Sequence, residues 1–220
     1  MTPRTAKVAT LAAGPGPATG RRGRPGHSID SLLDVAVAVF IERGYEATSM
    51  DELAARLGVT KSAIYHHVPS KVELLRLALD RALDALFAVT EEPGATAGRA
   101  IDRLEFVVRG SVRVLAAELP FVTLLLRLRG NSEIERAALQ RRREFDRIVT
   151  RLVTAAEQEG DVRPDVDPAI TSRLLFGTVN SLTEWYRPDG DLTPDDLADA
   201  LVTTTFAGLR SAQAGGGVGA

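Results

Sequence analysis

The chain has 220 residues, 45% of them hydrophobic, and a formal net charge of −2, which suits one large or two small folded domains. No apolar run approaches the roughly 20 residues of a membrane-spanning helix and no signal peptide is evident, so we expect a cytoplasmic protein with no membrane partner. The absence of cysteine excludes disulfides, thiol chemistry and the commonest structural zinc sites.

Positive charge is concentrated at the start of the chain. Residues 1–27 contain five basic residues and no acid, and most of this segment is rich in Ala, Gly and Pro. Such a composition cannot bury enough apolar surface to fold, so we predict a disordered basic arm over residues 1–27. Within it, Arg21 precedes Arg22-Gly-Arg24-Pro25, which resembles the core of an AT-hook, an extended motif that places arginines in the minor groove. A tail that only improves solubility is the alternative.

The first predicted helix begins after Ser28. Its apolar residues recur at steps of three and four as far as Phe40, which predicts one continuous buried face, and Gly44 ends it. A second helix follows from Ser49, whose hydroxyl with Glu52 three residues later is typical of a capping box. The same pattern recurs at Ser70 and Glu73, where a fourth helix begins.

The helix between these two has an unusual composition. Gly58 permits a sharp left-handed turn, Thr60 can cap the new helix, and Ile64 is its one large apolar residue. The remaining surface must face water or a partner, and it carries Lys61, Ser62, Tyr65 and His66. One buried anchor beside a row of hydrogen-bonding side chains indicates a helix-turn-helix whose last helix enters the major groove of DNA.

The rest of the chain shows helical spacing throughout. The fourth helix is long, residues 91–98 predict a break, and further helices are expected up to Pro120 and over residues 121–128, 132–159, 170–186 and 193–210. No segment shows sustained alternation with a period of two. We therefore predict an all-α fold of about nine helices, with a flexible Gly-rich tail over residues 212–220.

The segment around the proposed recognition helix resembles a known family. Residues 40–54, 58–65 and 69–75 are similar, position by position, to the N-terminal domain of the tetracycline-repressor (TetR) family of bacterial transcriptional regulators. Val68 departs from the pattern, since many members have Phe there. The resemblance implies a three-helix DNA-binding domain over residues 28–75 and a larger ligand-binding and dimerising helical domain over residues 76–211.

The resemblance also implies roles for individual residues. It places Thr48, Ser49, Tyr65 and Lys71 at DNA phosphates. It places Lys61, Ser62 and His66 near the bases, with Thr60 at the start of the recognition helix. Hydroxyls and free N–H groups at a helix N-terminus suit an anion, although helix capping and, for Tyr65, half-buried packing are the alternatives. His66 and His67 do not predict a metal site, because adjacent helical residues point apart.

The C-terminal half resembles one subgroup of the same family. The similarity lies in residues 180–194 and implies an effector such as an acyl-CoA or a related hydrophobic carboxylate. The residues expected to bind it are Phe106, Leu124, Leu125, Arg127, Arg129, Phe145, Phe176 and Trp185, with the two arginines for the ligand's anionic group. The residues expected at a homodimer interface are Leu174, Leu175, Gly177, Thr178, Leu182, Leu197, Leu201 and Leu209. Packing in the monomer core is the alternative for any of these.

These features together predict a repressor. A dimer would hold two recognition helices roughly 34–36 Å apart, which predicts a palindromic operator in double-stranded DNA. A small hydrophobic or acyl-CoA-type effector would then release the DNA. A regulator that needs no ligand, or that activates, is the alternative. We expect no enzyme and no cofactor, because the chain has no phosphate-binding Gly-rich loop, nucleophile elbow or metal-binding helix motif.

Overall fold

The computed structural model describes residues 28–210 and confirms the predicted all-α class, with ten helices in this part of the chain. They are α1 (Ile29–Arg43), α2 (Met50–Leu57), α3 (Lys61–His67), α4 (Lys71–Glu91), α5 (Pro93–Thr96), α6 (Ala100–Ala117), α7 (Leu119–Leu126), α8 (Glu133–Gln158), α9 (Pro168–Trp185) and α10 (Pro194–Leu209). The short α5 lies where the sequence predicted only a break. None of these helices is long and apolar enough to cross a lipid bilayer.

Hydroxyl side chains begin each of the first four helices. Ser28, Ser49, Thr60 and Ser70 each accept a hydrogen bond from the backbone N–H three residues later, at 3.1–3.2 Å. Gly58 adopts φ 67°, the left-handed conformation that reverses the chain between α2 and α3. Local capping therefore fixes the helix boundaries that the sequence predicted here.

The predicted capping boxes are only half present. Neither glutamate returns to its cap, because Glu52 pairs with Arg43 at 2.6 Å and Glu73 pairs with Arg76. An arginine within reach is a stronger partner for a carboxylate than a single backbone N–H. A reciprocal box does form at the start of α10, between Thr193 and Asp196.

Two hydrophobic cores share helices. The head core is formed by α1 to α4 and also includes Phe121, Leu124 and Leu125 of α7 and Ala138 of α8. The body core joins α6, α8, α9 and α10, with Leu86 and Phe87 at the far end of α4 packed against it. The head core thus extends beyond residues 28–75, and α4, α7 and α8 belong structurally to both halves.

Candidate DNA interface and effector cavity

Helix α3 buries a single side chain against the rest of the head. Ile64 is only 1% exposed and is the one buried residue of this helix. Lys61, Ser62, Tyr65 and His66 are all exposed, together with the cap Thr60. The predicted recognition surface is therefore open to a partner, and its polar side chains are not used in the packing of the head.

Lys61 is held by a carboxylate on the neighbouring helix. Its Nζ atom lies 2.9 Å from Oδ2 of Asp51 in α2, and the hydrogen bond to Asp51 raises the pKa of Lys61. Both side chains are largely exposed, so the pair contributes little stability and a DNA phosphate or base can replace the carboxylate.

Lys71 and Thr48 organise the turn between α1 and α2. The Lys71 Nζ atom donates to the backbone oxygens of Tyr45 and Thr48, each at 2.8 Å, and lies 4.3 Å from the centre of the Tyr45 ring. The buried Thr48 hydroxyl donates to the oxygen of Gly44 at 2.8 Å. These two side chains thus satisfy backbone carbonyls of the turn. Ser49 is exposed beside them at the start of α2, whereas Arg21, Arg22 and Arg24 lie outside the described residues.

A partly open cavity lies between five helices of the body, α4, α6, α7, α8 and α9. Its volume is about 50 Å³, and its lining is mainly apolar. Of the predicted ligand-binding residues, Leu125, Phe145 and Phe176 line it, and the two phenylalanine rings meet edge to face with their centres 5.2 Å apart. Ala82 and Leu86 of α4 complete one wall, so the cavity touches the helix that continues from the DNA-binding head.

The structure places the other predicted ligand-binding residues elsewhere. Phe106 packs against Gly94, Leu124 lies in the head core, and Trp185 is 50% exposed on the outer side of α9. Arg127 and Arg129 line a groove between head and body, because α7 ends beside α1, and Nη1 of Arg127 donates to the backbone oxygen of Ile41 at 3.1 Å. The two arginines are therefore at the junction of the halves and not at the cavity.

The charged residues at the cavity are Arg142 and Asp146, which the sequence analysis did not select. Burial lowers the pKa of Arg142 and raises that of Asp146, and the nearby Arg142 and Arg173 only partly offset the effect on the carboxyl. In the described part of the chain, no carboxylate oxygen lies within 4 Å of the Arg142 guanidinium. Arg142 and Asp146 are four residues apart on α8, with Phe145 between them. This spacing was the signal in the sequence that the two charged side chains lie on the same side of the helix as Phe145. Arg142 can therefore receive an anionic group of a ligand.

The predicted dimer residues divide into two groups. Leu175, Leu182, Leu197, Leu201 and Leu209 are buried in the core of the body itself, since α9 and α10 pack on α6 and α8. Leu174, Gly177 and Thr178 are exposed on the opposite side of α9. Ile170 and Trp185, at 57% and 50% exposure, extend the same face, and Leu174 is 67% exposed. We call Ile170, Leu174, Gly177, Thr178 and Trp185 the α9 stripe.

The geometry of the head and the body defines a class of protein. A three-helix head with an exposed polar helix, joined by shared helices to a larger helical body with an internal cavity, is the architecture of a helix-turn-helix regulator with its own sensor domain. Within residues 28–210, no cluster of three or more metal-ligating side chains accompanies it.

Sequence profiles of known families match both halves. The profile "Bacterial regulatory proteins, tetR family" matches residues 32–78, and "Tetracyclin repressor-like, C-terminal domain" matches residues 97–209. The chain therefore belongs to the tetR family, and it is a DNA-binding transcriptional regulator and not an enzyme.

Individual relatives agree over nearly their whole length. The HTH-type transcriptional repressor KstR2 of Rhodococcus jostii is 28% identical over 205 residues, which span 90% of this chain and 98% of KstR2. The tetR-family protein SCO3833 of Streptomyces coelicolor A3 is 54% identical with a TM-score of 0.76, covering 82% and 91% of the two chains. AibR, solved with isovaleryl coenzyme A and operator DNA, is 26% identical with a TM-score of 0.69, covering 81% and 97%.

Proposed function

We propose that the protein is a dimeric repressor that binds a palindromic operator and is released from it by a small hydrophobic or acyl-CoA-type effector. The observation that carries this proposal is the position of the cavity. Ala82 and Leu125 line the cavity and at the same time belong to the head core. A ligand that enters the cavity therefore displaces side chains on which the DNA-binding head is packed.

The small volume of the cavity indicates that the body must expand when an effector binds. Ligand pockets commonly have volumes of about 300–1,000 Å³. At about 50 Å³ the cavity holds little more than ordered water, so an acyl group must push α4, α7 and α8 apart to bind. Since a ligand shifts an equilibrium only through its different affinity for the two states, this expansion must favour a head spacing that does not fit the operator.

The α9 stripe supports the dimer. Apolar side chains as exposed as Ile170, Leu174 and Trp185 are costly in an isolated monomer when they lie on one face of a helix. Nothing lies within 4 Å of where a side chain on Gly177 would begin, so a second helix can approach closely there. Pairing two such faces about a twofold axis would set the two α3 helices for successive major grooves.

Two features support the acyl-CoA class of effector. The Phe145 and Phe176 rings suit an apolar chain, while Arg142 at the same cavity suits a carbonyl or anionic group. AibR, which resembles this chain along most of its length, was solved with isovaleryl coenzyme A.

The proposal is tested with the purified full chain and DNA from upstream of its own gene. A gel-shift titration with increasing acyl-CoA should show operator binding in its absence and release in its presence, with free fatty acids and antibiotics as comparison compounds. A thermal-shift series with the same compounds should show stabilisation by the releasing ligand. Operator binding that no acyl-CoA changes would favour a ligand-independent regulator, and binding that appears only with acyl-CoA would favour an activating one.

A further inference from the structure

A groove on the outside of the body is rich in arginines. It lies between α8 and the first turns of α9, has a volume of about 570 Å³, and is lined by Arg143, Arg147, Arg151 and Arg173 with Asp146 and Thr150 among them. Arg147 lies 3.6 Å from Glu144. For the other three arginines, the described residues provide no carboxylate within 4 Å.

Several exposed arginines elsewhere on the body have acidic partners. Arg99 lies 2.8 Å from Asp161, Arg113 lies 2.7 Å from Asp195, and Arg109 contacts both Glu105 and Asp199. The chain as a whole is slightly acidic, with a formal net charge of −2. Because carboxylates are available in the chain but are absent from this groove apart from Asp146, the groove has a local excess of positive charge that favours an anionic partner.

The groove is next to the effector cavity. Asp146 lines both, and its carboxyl lies in the electrostatic influence of Arg142 on the cavity side and Arg173 on the groove side. Along α8, Arg143 and Arg151 are eight residues apart, or about 12 Å at the usual helical rise. A ligand with an apolar end and several phosphates can therefore occupy the cavity with one part and the groove with the other.

We infer that this arginine groove binds the phosphates of the coenzyme A moiety while the acyl group enters the cavity. The effector is then the intact thioester and not the free acid. This inference rests on the proposed function. The guanidinium groups of Arg147 and Arg151 donate to phosphate oxygens from successive turns of α8. Bidentate contacts of this kind are the strong charge-assisted hydrogen bonds by which arginine recognises phosphate. Asp146 lies between the two parts of the site and discriminates against a carboxylate at that position by repulsion.

The test measures binding of two thioesters that share an acyl group. One is isovaleryl-coenzyme A, and the other is S-isovaleryl-N-acetylcysteamine, which has the acyl group and no phosphate; longer acyl chains are compared in the same pairs. Isothermal titration calorimetry is carried out on the full chain and on the double variant Arg147→Gln/Arg151→Gln. The control is Arg136→Gln, an exposed arginine on the same helix outside the groove.

We expect the double variant to bind the acyl-CoA at least tenfold more weakly, to lose most of the salt dependence of that binding, and to bind the phosphate-free thioester unchanged. Unchanged acyl-CoA affinity in the double variant would overturn the groove assignment while leaving the proposed effector class intact. Failure of the wild-type chain to bind any acyl-CoA would overturn both. A double variant that loses operator affinity without effector, or that becomes monomeric, would instead assign the groove to DNA or to the dimer interface.

Discussion

The DNA-binding surface and the effector cavity are built in opposite ways. On α3 the candidate DNA-binding side chains are exposed, and Ile64 is the one buried residue of the helix. In the body the candidate site is a partly open cavity between helices, only about 50 Å³ in volume. The α3 surface is accessible to DNA as it stands, whereas the cavity must widen before an acyl group fits. On the proposed function, this difference makes operator binding the default activity of the unliganded chain.

The two sites are connected by helices that they share. Helix α4 begins at Lys71, which holds the turn after α1, and reaches the cavity at Leu86. Helix α7 contributes Leu125 to the cavity and is followed by Arg127, which donates to the backbone oxygen of Ile41 in the last turn of α1. Well-packed elements of this kind move as units, so the proposed function requires that widening the cavity shifts the head as a whole.

The largest expected effect concerns the α9 stripe. Leu174→Asp places a charge in the centre of the proposed dimer interface and should give a monomer. Operator affinity should fall by about two orders of magnitude, because each protomer then engages one half-site without the gain of the second. Sedimentation velocity and gel-shift titration measure the two effects. Leu192→Asp is the matched control, because Leu192 is also an exposed leucine, at 51%, and lies outside the stripe. Equal loss of the dimer in both variants would contradict the assignment of the α9 stripe to the dimer interface.

The next largest effect concerns Lys61 on the candidate DNA-binding surface of α3. Lys61→Ala should weaken operator binding by about 10- to 100-fold, the range expected for one good contact to a base or phosphate, while leaving the dimer intact. Asp51→Asn removes the partner of Lys61 but keeps the lysine, so its operator affinity should be equal to or higher than that of the wild type. Fluorescence anisotropy with labelled operator measures both. Normal affinity of Lys61→Ala would remove Lys61 from the recognition surface.

A smaller effect is expected when the cavity is filled, because effector response should change while DNA binding by the head does not. Val114 lines the cavity from α6, so Val114→Phe should occupy the space that the effector needs. We expect operator affinity to be unchanged and the acyl-CoA concentration for half-release to rise about tenfold, which corresponds to about 1.4 kcal/mol. Val114→Ala, which enlarges the cavity, should respond at least as well as the wild type. Equal release of all three proteins would mean that the effector binds elsewhere.

The smallest effect is electrostatic. Burial raises the pKa of Asp146 in the folded chain, so its charge at neutral pH costs free energy that is absent once the group is protonated. Asp146→Asn should therefore raise the melting temperature at pH 7, and the gain should vanish as the pH falls through the range in which Asp146 takes up its proton. The group is only partly buried, so the gain should not exceed about 2 °C. A gain that persists in acid would exclude this charge as its cause.

The sequence predicted the head better than the body for a physical reason. Caps and the left-handed Gly58 are local signals, so the limits of α1 to α4 and the burial of Ile64 followed from neighbouring residues. The cavity is formed by five helices that are distant in sequence, and its charged residues depend on which side of α8 faces α9. Long apolar side chains can pack on either of two faces, which is why Leu175 and Leu182 lie in the core while their neighbour Leu174 is exposed.

The side chains of the turn after α1 show a second limit. The family resemblance placed Lys71 and Thr48 at phosphates, yet in the structure both satisfy carbonyls of the turn. Backbone groups left without partners by the end of a helix take the nearest donors, and sequence alone does not show where these carbonyls point. Contact of Lys71 and Thr48 with DNA stays a prediction, as do the roles of the arginines in residues 1–27.

The central claim is that an effector in the body changes the spacing of the two heads. Because the chain has no cysteine, Ala55→Cys introduces one labelling site on the exposed side of α2 in each protomer. Double electron–electron resonance between the two spin labels should give one distance for the unliganded dimer, unchanged by operator, and a distance altered by several ångströms with a releasing acyl-CoA. An identical distance distribution with and without acyl-CoA, under conditions in which the same acyl-CoA releases the operator, would contradict the account.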